Sequence, residues 1–210
     1  MNYGETLAYW YLRLNGFFPL RNFVLHRLQQ RNGTRENADV DLLAIRFPSV
    51  HERYGDINDE DERLDDDWDS KLRAYLPDLT TAIIGLIVEV KTSNPGELSS
   101  FKDRRMRADI ERLGFFAEKE IIDRVVTNLA KEKIAAEEKY RVGKLLVSED
   151  EKPGAWINLT MGEIDDFIRH RMNKYNDPKY AARHMFHDDL IQYIIWREKH
   201  EKQEERRRKS

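Results

Sequence analysis

The segment from Ala82 to Lys91, AIIGLIVEVK, constrains this chain more than any other. Its seven consecutive apolar residues, Ala82 to Val88, are far too few to cross a bilayer. Nearly continuous apolar character over that length suits a strand buried on both faces, at the centre of a sheet. Yet the run leads straight into Glu89 and Lys91. Charge in such a setting is costly unless it is paired or used. Alternate residues of a strand share a face, so Glu89 and Lys91 project together and Val88 and Val90 project the other way.

Two more acids sit in comparable surroundings. In DVDLLAIRF, a second expected strand, Asp41 stands directly before Leu42, Leu43 and Ala44. The first segment reads as a helix from about Tyr3 to Asn15, stopped at Gly16. Its apolar stripe is Leu7, Tyr11 and Leu14, widened by Ala8 and Leu12, and Glu5 points toward that packed side.

Glu5, Asp41, Glu89 and Lys91 outline a metal-dependent phosphodiesterase site. Mg²⁺ takes oxygen ligands, commonly one or two carboxylates plus water and phosphate. Asp41 and Glu89 are the expected metal ligands, with Mg²⁺ or Mn²⁺ as the cofactor. The metal lowers the pKa of a bound water and polarises the phosphate. Lys91 orients that water and stabilises developing charge, and Glu5 completes the metal shell directly or through water. An E-x-K pair on a strand also arises as a plain exposed ion pair. The apolar run before it, the strand carrying Asp41 and the inward Glu5 argue against that here.

At 210 residues one domain, 1–210, is the expectation, large enough to bury a core without staples. The chain has no cysteine, which excludes disulfides, zinc–thiolate sites and a thiol nucleophile. With no signal-peptide apolar region and no spanning segment, the expectation is a soluble, cytoplasmic chain with no membrane contact. The net charge of −3 hides a segregation. Residues 51–80 carry eleven Asp and Glu against four Lys and Arg, leaving a mildly basic body. This acidic insert shows no clear period and is expected to be a loop with a short helix around Lys71 to Tyr75. It joins the strand of Asp41 to the strand of Glu89. Its roots are therefore expected near the cleft, where it could mask basic residues as a flap or engage a protein partner. A solvated loop held away from the cleft is the competing reading.

Further along, Phe17 to His26 leads into NFVLHRL, an expected strand hairpinned to that of Asp41 through the polar turn GTREN. Ser100 and Asp103 look like a capping box for the helix ending at Gly114. A helix is expected from Lys119 to about Tyr140, then strands in GKLLVS and AWINLT. Thr160 and Glu163 form a second capping box, and Asn176, Asp177 and Pro178 begin the last helical region, broken near His187. The charged tail 197–210 is expected to fray. The fold class is α/β: a central mixed sheet flanked by helices, with a helical C-terminal elaboration.

Lys102, Arg104, Arg105 and Arg107 follow the E-x-K strand and are candidate phosphate contacts. A solvated helix face paired with Asp103 and Asp109 is the alternative. The basic end from Arg206 to Lys209 reads better as a solvated terminus than as a nucleic-acid contact. His184 and His187, lacking a third ligand, read as surface or satisfied histidines. Trp10, Trp156 and Trp196 read as core anchors, and Trp68 as the residue that docks the insert.

Taken together, GETLAYWYLRLNGF, ADVDLLAIR and VEVKTS resemble the PD-(D/E)XK nuclease superfamily, the restriction-endonuclease-like fold. The resemblance covers about residues 1–147. It aligns Glu5 with the family's helix acid, Asp41 with its metal-binding Asp, and Glu89 and Lys91 with its E-x-K pair. Val40 replaces the family's proline at a variable position, and Asp39, on the same strand face, competes with Asp41. The resemblance implies a Mg²⁺- or Mn²⁺-dependent nuclease acting on DNA rather than RNA, in restriction, defence or DNA repair. It also makes a homodimer an expectation. A non-catalytic binding or scaffold subunit on the same fold is the rival reading.

Overall fold

Asn2 starts the first helix, α1 (Tyr3–Leu14). Its side-chain oxygen accepts from the Glu5 backbone N–H at 2.9 Å, and its amide donates to the Glu5 carboxylate at 2.9 Å. The first bond satisfies one of the N–H groups that a helix start leaves open, and the second ties the Glu5 carboxylate to the cap. Leu7, Ala8, Tyr11 and Leu12 form the buried stripe, and Gly16, left-handed at φ 77°, turns the chain away. A computed structural model describes residues 2–24, 39–50, 52–54, 63–65, 68–92, 98, 101–174 and 188–209, with backbone alone at 22–24, 39, 52–54, 63–65, 172–174, 199, 202–203, 205–206 and 209.

The strands are β1 (Phe18–Val24), β2 (Asp39–Arg46), β3 (Glu52–Tyr54), β4 (Arg63–Asp65), β5 (Ile83–Lys91), β6 (Ile134–Glu137), β7 (Tyr140–Ser148) and β8 (Ile157–Thr160). Between and after them lie α2 (Ser70–Tyr75), α3 (Asp103–Leu113), α4 (Lys119–Lys131), α5 (Met161–Lys174) and α6 (Asp189–Lys209). Among the described residues this is an α/β architecture with one mixed six-stranded sheet and a separate two-stranded ladder, β3–β4. The main order is β1-β2-β5-β7. Beyond β7, β6 pairs with its first half and β8 with its second. The β1–β2 and β2–β5 pairs are antiparallel and β5–β7 is parallel. The expected central strand is indeed central, and every one of its residues from Ile84 to Val90 is buried.

Two cores flank the sheet. On one face α1, α2, α5 and α6 bring Leu12, Leu72, Ile164 and Ile194 against Leu42, Ala44, Val88 and Val90. On the other, α3 and α4 bring Met106, Ile110, Leu113 and Val126 against Leu43, Ile87 and Val142. Gly85 decides how closely α3 can lie. A Cβ there would meet Leu113 and Phe115 carbons at 2.7 Å, so only glycine admits the helix.

Several expectations change. Residues 132–140 do not continue α4. Glu132 ends it, and Ile134–Glu137 turns back onto β7 through Glu138, whose φ is +48°. Ladder pairing has overridden the helical preference of EKIAAEEK. The Ser100–Asp103 capping box does not start α3: Lys102 is the N-cap, without a side-chain cap bond, and Ser100 lies outside the described residues. The Thr160–Glu163 box does form, with reciprocal bonds of 2.8 and 3.2 Å. The tail carries helix α6 through Lys209. Trp196 is not a core anchor. It is 45 % exposed, because Ile191, Ile194 and Ile195 take the buried side of α6. The turn GTREN, Asn176 to Pro178, His184 and His187 lie outside the described residues.

The insert is corrected most. Its roots are not near the site. Arg46, where β2 ends, lies opposite Ile84, where β5 begins. Asp41 and Glu89 are at the other end of those strands, roughly 17 Å away at ~3.4 Å per residue. The short helix expected around Lys71 to Tyr75 is present as α2, and the segment carries more order than that. Residues 52–54 pair with 63–65, and Trp68, Leu72, Leu76 and Leu79 belong to the main core.

Candidate active site

The β2–β5 ladder runs from Arg46–Ile84 to Leu42–Val88. One residue further along each strand stand Asp41 and Glu89. Glu89 shares the sheet face of Ile87, because side chains alternate along β5. The Asp41 carboxylate accepts from the backbone N–H of Val90 at 2.6 Å. Glu89 is 3 % exposed, and the Lys91 ammonium sits on its Oε1 at 2.5 Å. Val88 and Val90 point into the opposite core. Asp41, Glu89 and Lys91 thus lie at the same end of β2 and β5. Asp39 opens β2 opposite Val24 at the level of the backbone.

Glu5 approaches from the other side of the sheet. Gly4 brings the start of α1 against the end of β5: a Cβ there would lie 2.8 Å from Thr92 and 3.0 Å from Val90 side-chain carbons. Glu5, held by Asn2, thereby stands within the electrostatic reach of Asp41. Burial pushes the Asp41 carboxyl up to about 6. The Val90 N–H opposes that rise, Glu89 adds to it, Lys91 opposes it, and Glu5 adds the smallest part. Asp41 is thus a carboxyl in a field of other carboxylates that one lysine incompletely offsets.

A cation would relieve that field. The donors are carboxylate oxygens, with no imidazole or thiolate, which is the chemistry of a hard ion such as Mg²⁺. Among the described residues no group of three or more His, Asp or Glu is spaced to hold a metal ion. Asp41 and Glu89 are the carboxylates here that could lend oxygens to such an ion.

The basic cluster divides. Arg107 is turned aside into an ion pair with Asp123 of α4. Lys102 and Arg104 are exposed, and Arg105 is half-buried. Because Leu113 lies over Gly85 while Asp109 lies within reach of Glu89, α3 runs antiparallel to β5. Its first turn, with Lys102, Arg104 and Arg105, therefore extends toward the Lys91 end of the sheet.

Of the buried charges that the sequence did not reveal, Asp109 and Lys144 lie on the face of Ile87. Asp109, 1 % exposed, occupies a core position of α3. The spacing Met106, Asp109, Ile110, Leu113 was the available signal. Lys144, 3 % exposed and beside Ile87 on β7, is pulled down by burial, with Asp103 opposing, and lies 5.8 Å from the Phe101 ring.

No protein-family model, curated protein or solved structure matches the chain. No helix of the described residues is long and apolar enough to cross a membrane.

Proposed function

We propose that the chain is a divalent-cation-dependent nuclease with a restriction-endonuclease-like core, cleaving nucleic-acid phosphodiester bonds. One observation carries the reading: the Asp41 carboxylate holds the Val90 N–H just past the end of the β2–β5 ladder, beside Glu89 with Lys91 on it. Bound Mg²⁺ or Mn²⁺ supplies a water of lowered pKa and a polarised phosphate. Asp41 and Glu89 would hold the ion through carboxylate oxygens. The Val90 N–H fixes the Asp41 carboxylate in place, so little ordering remains at binding. Lys91, 29 % exposed at its side chain, would point its ammonium from Glu89 toward the attacking water and the charge growing at phosphorus. Glu5 would accept hydrogen bonds from waters around the ion. Lys102, Arg104 and Arg105 would meet flanking phosphates. DNA is favoured over RNA by the family resemblance alone.

The test is cleavage of single-stranded, duplex and branched DNA and of RNA, with Mg²⁺, Mn²⁺ or EDTA. Cation-dependent cleavage by the wild type, reduced roughly 10²–10³-fold in Lys91→Ala, is expected. Equal cleavage by Lys91→Ala and Asp41→Asn would remove their assigned roles. One observation favours the rival scaffold reading: no ready-made three-ligand group exists among the described residues. That reading gains if the wild type neither cleaves any substrate nor binds Mn²⁺.

A further inference from the structure

We propose that Asp109 is a positioning residue, a carboxylate set behind Glu89 that strengthens the hold of Glu89 on a divalent cation. The inference rests on the metal-dependent reading above and assigns to the site a helix residue outside the E-x-K strand.

The geometry starts from Gly85. Leu113 abuts it, so α3 rides directly on β5. Asp109 is one helical turn before Leu113, about 6 Å toward the Lys91 end at 1.5 Å per residue. Two residues of strand cover about the same distance. Asp109 thus stands level with Ile87, one pleat short of Glu89. Side chains on a helix lean toward its N-terminus, and in α3 that is the direction of Glu89. The mutual repulsion of the two carboxyls is felt in the Asp109 titration. Burial pushes it up to about 7, Arg112 and Arg105 on its own helix oppose, and Glu89 adds to the rise.

Asp109 is poorly explained as a packing residue. It fills a position between Met106, Ile110 and Leu113 that an aliphatic side chain would suit. Its Oδ1 is buried with no hydrogen-bond partner. An unsatisfied buried oxygen is costly to the fold. The like-charged Glu89 makes the position worse for the protein alone. The repulsion from Glu89 is offset once a cation binds there, since a second carboxylate then adds to the attraction. An outer oxygen of this kind also has room in its bonding for a water carried by the ion.

Mn²⁺ affinity, followed by the spin-resonance signal of the free ion, tests this independently of cleavage. Wild type, Asp109→Asn, Asp109→Glu and Glu89→Gln are compared, with melting temperatures in EDTA. Asp109→Asn should bind Mn²⁺ about tenfold more weakly, while melting in EDTA no lower than wild type. Asp109→Glu, which keeps the charge, should recover most of the affinity. A merely structural Asp109 predicts the reverse: altered melting and unchanged Mn²⁺ affinity in Asp109→Asn, which overturns the inference. The two readings fail separately. If wild type binds Mn²⁺, Glu89→Gln does not, and Asp109→Asn matches wild type, the metal site stands and the role of Asp109 falls. If wild type binds no Mn²⁺, the metal-dependent reading itself falls.

Discussion

The Asp41 carboxylate takes the backbone N–H of Val90 at 2.6 Å, just beyond the point where the β2–β5 ladder ends. A side chain here does the work of a strand acceptor, and it ties the two candidate ligand strands together. Asp41 therefore has two separable roles, one as hydrogen-bond acceptor and one as charge. Asp41→Asn keeps an acceptor and drops the charge, whereas Asp41→Ala drops both. Asp41→Asn should be at least as stable as wild type in EDTA at neutral pH. Asp41→Ala should fall below Asp41→Asn by about 1–3 kcal/mol, the cost of an unpaired buried N–H. Urea unfolding checks this. Equal stability of the two variants would mean that the Val90 bond contributes nothing.

The same carboxyl sets a pH dependence. Unfolded, it titrates near its ordinary 3.8; folded, burial raises it to about 6. Between those values the folded chain keeps a proton that the unfolded chain has lost. Stability from this source is present below about pH 4 and is lost as pH rises through 6, by roughly 2–3 kcal/mol. Asp109, raised to about 7, extends the decline in the same direction. In EDTA, wild-type stability should fall from pH 4.5 to 7.5, and Asp41→Asn should fall less. Divalent cation should flatten the wild-type curve by pairing with the ionised form. Parallel pH profiles for wild type and Asp41→Asn would refute the coupling.

How much of this was legible depended on whether local signals agreed with tertiary ones. In β5 the apolar run and the Glu89–Lys91 alternation pointed the same way, and both the strand and its charged end were readable. The start of α5 was readable because Thr160 and Glu163 carry their own capping chemistry. For β6 they disagreed: EKIAAEEK prefers helix, and only pairing with β7 makes it a strand. Trp196 misled because aromatic character says nothing about which side of α6 faces the core. Asp109 was hidden by neighbours. Its periodic position is apolar, yet the surrounding arginines and acids make the helix look wholly solvated. The position of the insert was in principle deducible. Asp41 begins its strand and Glu89 ends its own, so an antiparallel pair must send their connection to the opposite end of the sheet.

Gly4 controls where Glu5 stands. A Cβ there would lie 2.7 Å from Met161 Cε, 2.8 Å from Thr92 Cγ2 and 3.0 Å from Val90 Cγ1. The methionine tip can move, but Val90 belongs to the central strand. Gly4→Ala should be tolerated with modest loss. Gly4→Val should lift the first turn of α1, costing about 1–3 kcal/mol as overpacking does. It should also weaken any Mn²⁺ affinity that depends on Glu5. Comparing Gly4→Val with Glu5→Gln by Mn²⁺ titration and urea unfolding separates the effects. Full Mn²⁺ affinity in both variants would exclude Glu5 from the site.

Trp68 gives the acidic segment its anchor, and the anchor lies at the sheet end away from Asp41. The indole packs on Gly16, whose Cβ position is 3.1 Å from ring carbons, and the Arg46 guanidinium lies 4.6 Å from a Trp68 ring centroid. Arg46 is fully buried and donates to backbone carbonyls of Asn15 and Val50 at 3.2 Å and also to Leu79. One cation therefore stitches the end of α1, the end of β2 and the return toward β5 under a single aromatic ring. Trp68→Ala should cost about 3–5 kcal/mol, as loss of a buried Trp does. Arg46→Ala should also destabilise strongly, and the double variant should lose less than the sum because the two side chains share contacts. Removing residues 57–62 spares this anchor and should leave stability nearly unchanged, since lengthening or shortening a connection changes closure entropy slowly. Thermal unfolding of the wild type and the four variants decides it. A Trp68→Ala variant as stable as wild type would show that the insert is held elsewhere.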